Sequence, residues 1–298
     1  MRDIDAVRIV EAVEKLCLKA AFELPGDVYA ALARGTRTEK NKRGRNILKI
    51  LCENARIAKA ESLPICQDTG VAVVFVELGE DARVVGSVPY SGASAPAGAK
   101  PRGQSRLVVA INEGVRRGYR KGYLRKSVVA DPIIRKNTGD NTPAVIHVSI
   151  VPGDGLRLVV APKGFGSENM SRLKMFEPTA GSDTVKDFVV ETVTLAGGNP
   201  CPPIIVGVGI GGTMEVAALL AKRALLRKVG LNNLAPHLAS LEREMLAAVN
   251  MTGVGPEGLG GNLTAIAVNV EAAPTHIAGL PVAVNICCHA ARHAEKRL

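Results

Sequence analysis

The stretch IIVGVGIGG at residues 204–212 joins an apolar run to a series of glycines, and it decides the class of fold. The apolar run over 204–208 predicts a buried strand, and the pattern over 214–228 predicts a helix directly after it. A strand, a glycine-rich turn and a helix in this order form the building unit of α/β folds. The sequence therefore predicts an α/β fold.

The glycines over Gly207–Gly212 also fit the G-x-G-x-x-G pattern of dinucleotide-binding proteins. Such proteins carry an acidic residue about 20 positions later, where this chain reads Leu-Asn-Asn-Leu at 231–234. Close packing of a helix on a strand is the simpler explanation of the glycines. A dinucleotide-dependent oxidoreductase is kept as the hypothesis from a different functional class.

The rest of the chain predicts a helical N-terminal region, about 1–60, followed by a mixed-sheet α/β domain. Apolar residues recur at helical spacing over 4–24, and Pro25-Gly26 ends that helix. A small-residue loop spans 91–104, and the whole chain, 1–298, is predicted to be one domain. The other predicted elements are helices over 47–58, 184–195 and 237–249, strands over 71–78, 263–270 and 282–286, and a β-hairpin made by strands 144–151 and 156–161.

Composition excludes several classes of protein. With 298 residues, 47% hydrophobic and 22% charged, the chain is long and apolar enough to bury a core, unlike a disordered chain or a disulfide-stapled miniprotein. It contains no apolar run of about 18–20 residues, and its charged first 14 residues do not resemble a signal peptide. We therefore predict a cytoplasmic protein without a membrane partner.

The formal net charge of +10 raises the question of a nucleic-acid partner. Aromatic residues are 3% with no Trp, and no nucleic-acid-binding motif is present, so we predict none. The positive charge is concentrated in the clusters Lys40–Arg45 and Arg116–Lys126. We interpret these clusters as solvated faces, with an acidic partner or an anionic small substrate as the alternatives.

Three of the six cysteines lie in loops: Cys66, Cys201 and Cys288. Cys17 and Cys52 lie in predicted helices and are expected in the core. No C-x-x-C occurs, which disfavours a zinc ribbon or a two-cysteine redox motif. Three thiolates without a fourth would suit a [4Fe-4S] cluster with one open iron, whereas three unrelated cysteines are the alternative.

Several motifs resemble, in the same order along the chain, those of the α-subunit of class I, iron-sulfur fumarate hydratases, a family that also includes L-tartrate dehydratases. The motifs are ICQDTG at 65–70, NTGDNTP at 137–143, KGFGSEN at 163–169, CPP at 201–203, GIGGT at 209–213, THIAGLP at 275–281 and CHAAR at 288–292. The resemblance spans residues 5–298 and implies a hydro-lyase that interconverts fumarate and (S)-malate. L(+)-tartrate dehydratase is the alternative with the same chemistry.

The resemblance implies that Cys66, Cys201 and Cys288 hold a [4Fe-4S] cluster whose fourth iron is open to substrate. Cys287 is then a bystander, because adjacent residues of an extended chain point to opposite faces. A cluster-free assembly or regulatory subunit is a further hypothesis, which serine replacements of the three cysteines would test.

Five other positions match active-site positions of the family. Gln67 and Asp68 match residues that contact substrate, with Asp68 implied in proton transfer. Arg125 matches the arginine that grips a substrate carboxylate, Gly166 a backbone contact, and His276 a polar side chain near the substrate. The family's other half is absent from this chain, so the resemblance also implies a separately encoded β-subunit and an α2β2 assembly.

Overall fold

A computed structural model describes residues 1–88 and 104–298, and these divide into two compact units. Unit 1 is built from Met1–Leu24, Ile57–Lys163 and Arg292–Leu298, and unit 2 from Pro25–Arg56 and Gly164–Ala291. Residues 91–103 of the predicted small-residue loop lie outside the described residues. The single domain over 1–298 stays a prediction.

The order of helices and strands confirms an α/β fold with a mainly helical N-terminal region. The helices are α1 Ala6–Phe22, α2 Gly26–Thr38, α3 Lys42–Glu61, α4 Arg106–Lys121, α5 Phe165–Glu168, α6 Gly181–Ala196, α7 Met214–Ala224 and α8 Pro236–Met251. The strands are β1 Arg2–Asp5, β2 Val71–Gly79, β3 Ala82–Val85, β4 Val145–Val151, β5 Leu156–Lys163, β6 Arg172–Phe176, β7 Ile204–Gly212, β8 Ala265–Thr275, β9 Leu280–Cys287 and β10 Ala294–Arg297. Within these described residues, no helix combines the length and the apolarity needed to cross a bilayer.

Unit 1 contains a four-stranded mixed sheet in the order β10-β5-β2-β4 and a separate parallel pair, β1 with β3. Strand β2 is central, antiparallel to β5 and parallel to β4. Helices α1 and α4 pack on each other, and their apolar side chains form one core with those of β2 and β5. The loop that precedes β2 is therefore attached to a rigid central strand.

The predicted β-hairpin of 144–151 and 156–161 is wrong, although both strands exist. Strand β2 lies between β4 and β5 and pairs with each of them, so the two strands never share a ladder. The turn over 152–155 instead receives the end of β2, where Gly79 N–H donates to the Gly155 carbonyl at 2.8 Å. The turn at 152–155 was predicted correctly. The hairpin prediction failed because β2, which lies between the two strands, comes from about 70 residues earlier in the sequence.

Helix α4 was not predicted, and part of the cluster Arg116–Lys126 is not a solvated face. Arg116 is 7% exposed and lies between two carboxylates, Glu113 at 2.6 Å and Asp140 at 2.9 Å. Burial favours an uncharged Arg116, but the hydrogen bonds to Asp140 and Glu113 outweigh it and raise the pKa of Arg116. The interior of unit 1 thus contains a charged network.

Unit 2 is built on a mixed sheet in the order β6-β9-β7-β8, with β7 parallel to β8 and antiparallel to β9. Side chains of α6 and α8 share a core with Val206 and Val208 of β7. Residues of β7 alternate between the two faces, and Gly207 and Gly209 face α7. Helices therefore cover both faces of this sheet.

The glycines of β7 allow α7 to approach the sheet closely. A Cβ on Gly207 would lie 2.1 Å from the Ala221 carbonyl oxygen, and a Cβ on Gly209 would lie 2.0 Å from that of Ala217. The predicted turn at 207–212 is wrong, because pairing with β8 continues through these glycines. Their role in helix packing is sufficient to explain the motif.

Candidate functional site

The loop Ile65–Gly70 of unit 1, between α3 and β2, is held by buried side chains. Its three successive carbonyls over Asp68–Gly70 each accept a hydrogen bond from a different part of the chain. Arg292 donates to the first, the Tyr119 hydroxyl to the second at 2.6 Å, and the Asn141 amide to the third at 3.2 Å. Burial raises the pKa of Tyr119, so its hydroxyl stays a donor. The loop is a fixed platform rather than a flexible connection.

Further contacts fix the Asp68 side chain and bring Arg125 close to the loop. The Gly70 N–H donates to Asp68 Oδ1 at 2.9 Å, and the Thr69 hydroxyl donates to the Arg125 carbonyl at 2.8 Å. Gly70 has a φ of 73°, and a Cβ there would lie 2.6 Å from the Lys163 nitrogen, so only glycine fits. The glycine of the ICQDTG motif therefore permits a tight backbone approach.

The site residues predicted in unit 1 lie on neighbouring stretches of backbone. Cys66 and Asp68 are partly buried, whereas Gln67 and Arg125 are exposed. A thiol, an amide, a carboxylate and a guanidinium thus come from two segments joined by a hydrogen bond. This set of groups can bind an anionic ligand and move a proton.

In unit 2, Cys201 and the Cys288-His289 dipeptide lie side by side. The Cys201 carbonyl accepts the His289 backbone N–H at 3.2 Å and lies 3.0 Å from His289 Nδ1. The same loop lies beside Gly166, since a Cβ built on Gly166 would be 3.9 Å from the Asn199 carbonyl oxygen. Unit 2 therefore gathers Gly166, Cys201 and Cys288 at one end of its sheet, where β7 begins and β9 ends.

Sequence reasoning missed two residues here, His289 and Glu257. Glu257 Oε1 lies 3.0 Å from His289 Nδ1. Burial lowers the pKa of His289, but the Glu257 carboxylate, Cys288 and the Cys201 carbonyl together raise it above its usual value. Cys201 and Glu257 both adopt positive φ, 55° and 52°, which non-glycine residues rarely do. Such backbone strain is typical of functional sites.

His276 lies far from this cysteine pair. It follows β8 and precedes β9, whereas Cys288 follows β9 at the other end. Eight strand residues at about 3.3 Å each separate the two by more than ~20 Å. Its Nδ1 accepts the Ala278 N–H at 3.1 Å, so a neutral His276 carries its proton on the exposed Nε2. Unit 2 therefore does not bring His276 to Cys201 and Cys288.

None of the six cysteines, all of which the structure describes, forms a disulfide. Cys17 is fully buried, and burial raises its pKa to about 12; burial also raises the pKa of Cys52. Both helical cysteines thus disfavour the thiolate that binds metal. Across residues 1–88 and 104–298, no three His, Cys, Asp or Glu side chains are grouped so that they could hold a metal ion.

Comparison with known proteins shows the family. The family model described as "Fumarate hydratase (Fumerase)" matches residues 10–297. A Methanocaldococcus jannaschii protein named "Putative L(+)-tartrate dehydratase subunit alpha" is 40% identical, with 98% of each chain covered. Two proteins named "L(+)-tartrate dehydratase subunit alpha" are each 31% identical: that of Escherichia coli strain UTI89 covers 98% of this chain and 91% of its own length, and that of Shigella sonnei covers 96% and 89%. The chain therefore belongs to the fumarate hydratase (Fumerase) family of hydro-lyases.

Proposed function

We propose that this chain is the α-subunit of a [4Fe-4S]-dependent hydratase that interconverts fumarate and (S)-malate. The observation that carries the proposal is the fixed loop of unit 1, which presents Cys66, Gln67 and Asp68 beside Arg125. These are groups that a four-carbon dicarboxylate and an iron cluster require. The end-to-end match to a hydratase family supports the same reaction class.

Three thiolates would suit a cluster with one open iron. Cys201 and Cys288 stand on adjoining loops of unit 2, and Cys66 stands on the platform of unit 1. We propose these three as the ligands, since three thiolates leave one iron of a [4Fe-4S] cluster free. The bound cluster would supply a Lewis acid that polarises the substrate's carboxylate and hydroxyl.

The roles of the remaining residues follow from charge. Addition of water to fumarate places extra negative charge on one carboxylate as the new bond forms. Arg125 is exposed and can meet that carboxylate with a planar, paired donor edge. Gln67 can hydrogen-bond the second carboxylate, and the backbone of Gly166 can donate to it. Asp68, fixed by the Gly70 N–H, would exchange the proton with the substrate carbon.

We propose that His276 serves a site in a second copy of the chain. Its distance of more than ~20 Å along β9 from Cys288 is too long for one substrate to reach both. Mixing a Cys288→Ser chain with a His276→Asn chain tests this idea. Recovery of activity, which neither variant shows alone, is expected if copies share sites, and no recovery would contradict it.

The partner is proposed from the names of relatives. The three similar proteins described above are each named as a subunit alpha, which supports a separately encoded β-subunit here. We propose an α2β2 assembly located in the cytoplasm. Co-purification of a co-expressed β-subunit is expected, and full activity of the isolated α-chain would refute the need for a partner.

L(+)-tartrate dehydration is the second candidate, because the names of these relatives favour it. Both substrates are four-carbon dicarboxylates, and either reaction adds or removes water beside a carboxylate. We expect a higher kcat/KM for fumarate than for tartrate in the assembled complex. The reverse order would replace the first assignment with the second and leave the chemistry unchanged.

The central experiment is anaerobic purification with the β-subunit, reconstitution with iron and sulfide, and measurement of iron content and fumarate turnover. About four irons per α-chain are expected, and Cys66→Ser should abolish both iron retention and turnover. Cys52→Ser is the matched control, because Cys52 lies in α3 and burial raises the pKa of its thiol. Absence of any cluster in the wild-type complex would overturn the proposal.

A further inference from the structure

We propose that Arg292 is a positioning residue for the loop Ile65–Gly70, acting through the backbone carbonyl of Asp68. The inference rests on the proposed function for its consequence, but the contact is observed directly, since Arg292 Nη2 donates to the Asp68 carbonyl. Arg292 lies four residues after Cys288, and Asp68 lies two residues after Cys66. One side chain thus connects the segment that follows one proposed ligand to the loop that carries another.

The sheet of unit 1 explains why this contact needs a long side chain. Arg292 precedes β10, which is two strands away from β2 in the order β10-β5-β2. Two strand spacings amount to about 10 Å. Ala294 is paired with Val160 of β5, whose end is in turn paired with the start of β2. The long arginine side chain spans the distance from the start of β10 to the loop before β2.

The charge of Arg292 does not serve stability. The residue is only 7% exposed, and its Nε and Nη1 atoms are buried without a hydrogen-bond partner in the part of the chain that the structure describes. A buried charge with unsatisfied N–H groups is costly compared with an apolar side chain of similar size. If stability alone determined the residue at position 292, methionine, which is apolar and of similar size, would give a more stable folded chain than arginine.

Because the buried charge is costly, the thermal midpoint of a variant that removes it distinguishes a positioning role from a structural role. Arg292→Met removes the bond to the Asp68 carbonyl and also removes the unpartnered charge. We therefore expect the loop to loosen while the thermal midpoint of the α-chain in its complex stays the same or rises. Tyr119→Phe is the matched comparison, because it removes the donor to the next carbonyl of the same loop but no buried charge. Its midpoint is expected to fall.

The experiment measures three quantities on the wild-type, Arg292→Met, Arg292→Lys and Tyr119→Phe complexes: amide hydrogen exchange over residues 62–72, the thermal midpoint, and the rate of iron loss to a chelator after anaerobic reconstitution. For Arg292→Met, exchange in the loop and the rate of iron loss should both rise about tenfold, the effect of one lost hydrogen bond. Arg292→Lys should recover part of the protection.

A lower midpoint with faster exchange throughout unit 1, or failure of the Arg292→Met chain to fold, would overturn the proposal, since either makes the residue structural. Unchanged loop exchange and iron loss would also overturn it. If the wild-type complex takes up no iron, the proposed function fails on its own, and loop exchange still decides whether Arg292 holds the loop.

Discussion

Replacing Gly209 by alanine should destabilise unit 2 through one steric conflict between backbone atoms. The added Cβ would lie 2.0 Å from the Ala217 carbonyl oxygen and 2.6 Å from the Ala221 nitrogen, both in α7. Ordinary contact lies at 3.4–4 Å, so α7 must move away from β7 by roughly 1 Å or more and lose close packing along its length.

The size of the effect follows from two opposing terms. Overpacking of this kind lowers the free energy of unfolding by about 3 kcal/mol or slightly more. Alanine also restricts the unfolded chain more than glycine does, which raises the free energy of unfolding by about 0.5–1 kcal/mol. The net loss of about 2–3 kcal/mol corresponds to a thermal midpoint lower by roughly 5–10 °C. Gly155→Ala is the control, because a Cβ there meets nothing within 4 Å.

Calorimetry of the two variants beside the wild type would measure both midpoints, and chemical denaturation would give the free energy of unfolding. A Gly209→Ala midpoint within about 1 °C of the wild type, which is well under 1 kcal/mol, would refute the argument that these glycines exist for helix packing. The dinucleotide hypothesis would then regain its main support.

Two further predictions concern the charged network of α4. Glu113→Gln should lower stability by about 3 kcal/mol, because it leaves the buried Arg116 with one carboxylate fewer; the exposed Glu53→Gln is the control, and equal midpoints for both variants would contradict the prediction. Burial raises the pKa of Asp140, but hydrogen bonds from Thr142 and Arg116 outweigh it and hold that pKa below its usual value. The lowered pKa stabilises the folded chain above the unfolded value of about 3.9, and this contribution is lost as pH falls through the folded pKa. Asp140→Asn should flatten the dependence of the thermal midpoint on pH in that acidic range, and an unchanged slope would show that Asp140 does not cause it.

The elements that the sequence predicted well are those with a regular apolar period. Helix α1 and the strands β2, β7 and β9 carry such patterns and were found close to their predicted positions. Short strands such as β6 and β10 were missed, because four or five mostly exposed residues carry no period that distinguishes them from loops.

Helix α4 was missed for a different physical reason. Leu107, Ile111 and Val115 do recur at helical spacing in the core. Buried polar residues lie between and beside them, namely Asn112, Arg116 and Tyr119. Each is satisfied by a loop that the sequence alone could not place: Asn112 accepts the Ala144 N–H at 2.8 Å, and Tyr119 donates to the loop of Asp68. Polar burial of this kind depends on tertiary partners, which a single sequence does not reveal.

The sequence predicted the residues of the candidate site but not the neighbouring residues that contact them. The motif around Cys66 is visible in the sequence because a thiol, an amide and an acid stand together before an apolar strand. His289 could have been suspected beside Cys288, whereas Glu257 gave no signal, since its glycine-rich surroundings resemble any surface loop. Its role depends on a positive φ and on a contact with a residue 32 positions away.

Unit 1 is discontinuous, and this has a consequence for the order of events during synthesis. Its edge strand β10 and the Arg292 contact are encoded after the whole of unit 2. A chain emerging from the ribosome can pack unit 2 first, while the sheet of unit 1 waits for its final strand. Of the three donors that hold the Asp68 loop, Arg292 is therefore made only after Cys201 and Cys288. Under the proposed function, a change that disturbs residues 292–298 should therefore impair retention of the cluster before it impairs folding of unit 2.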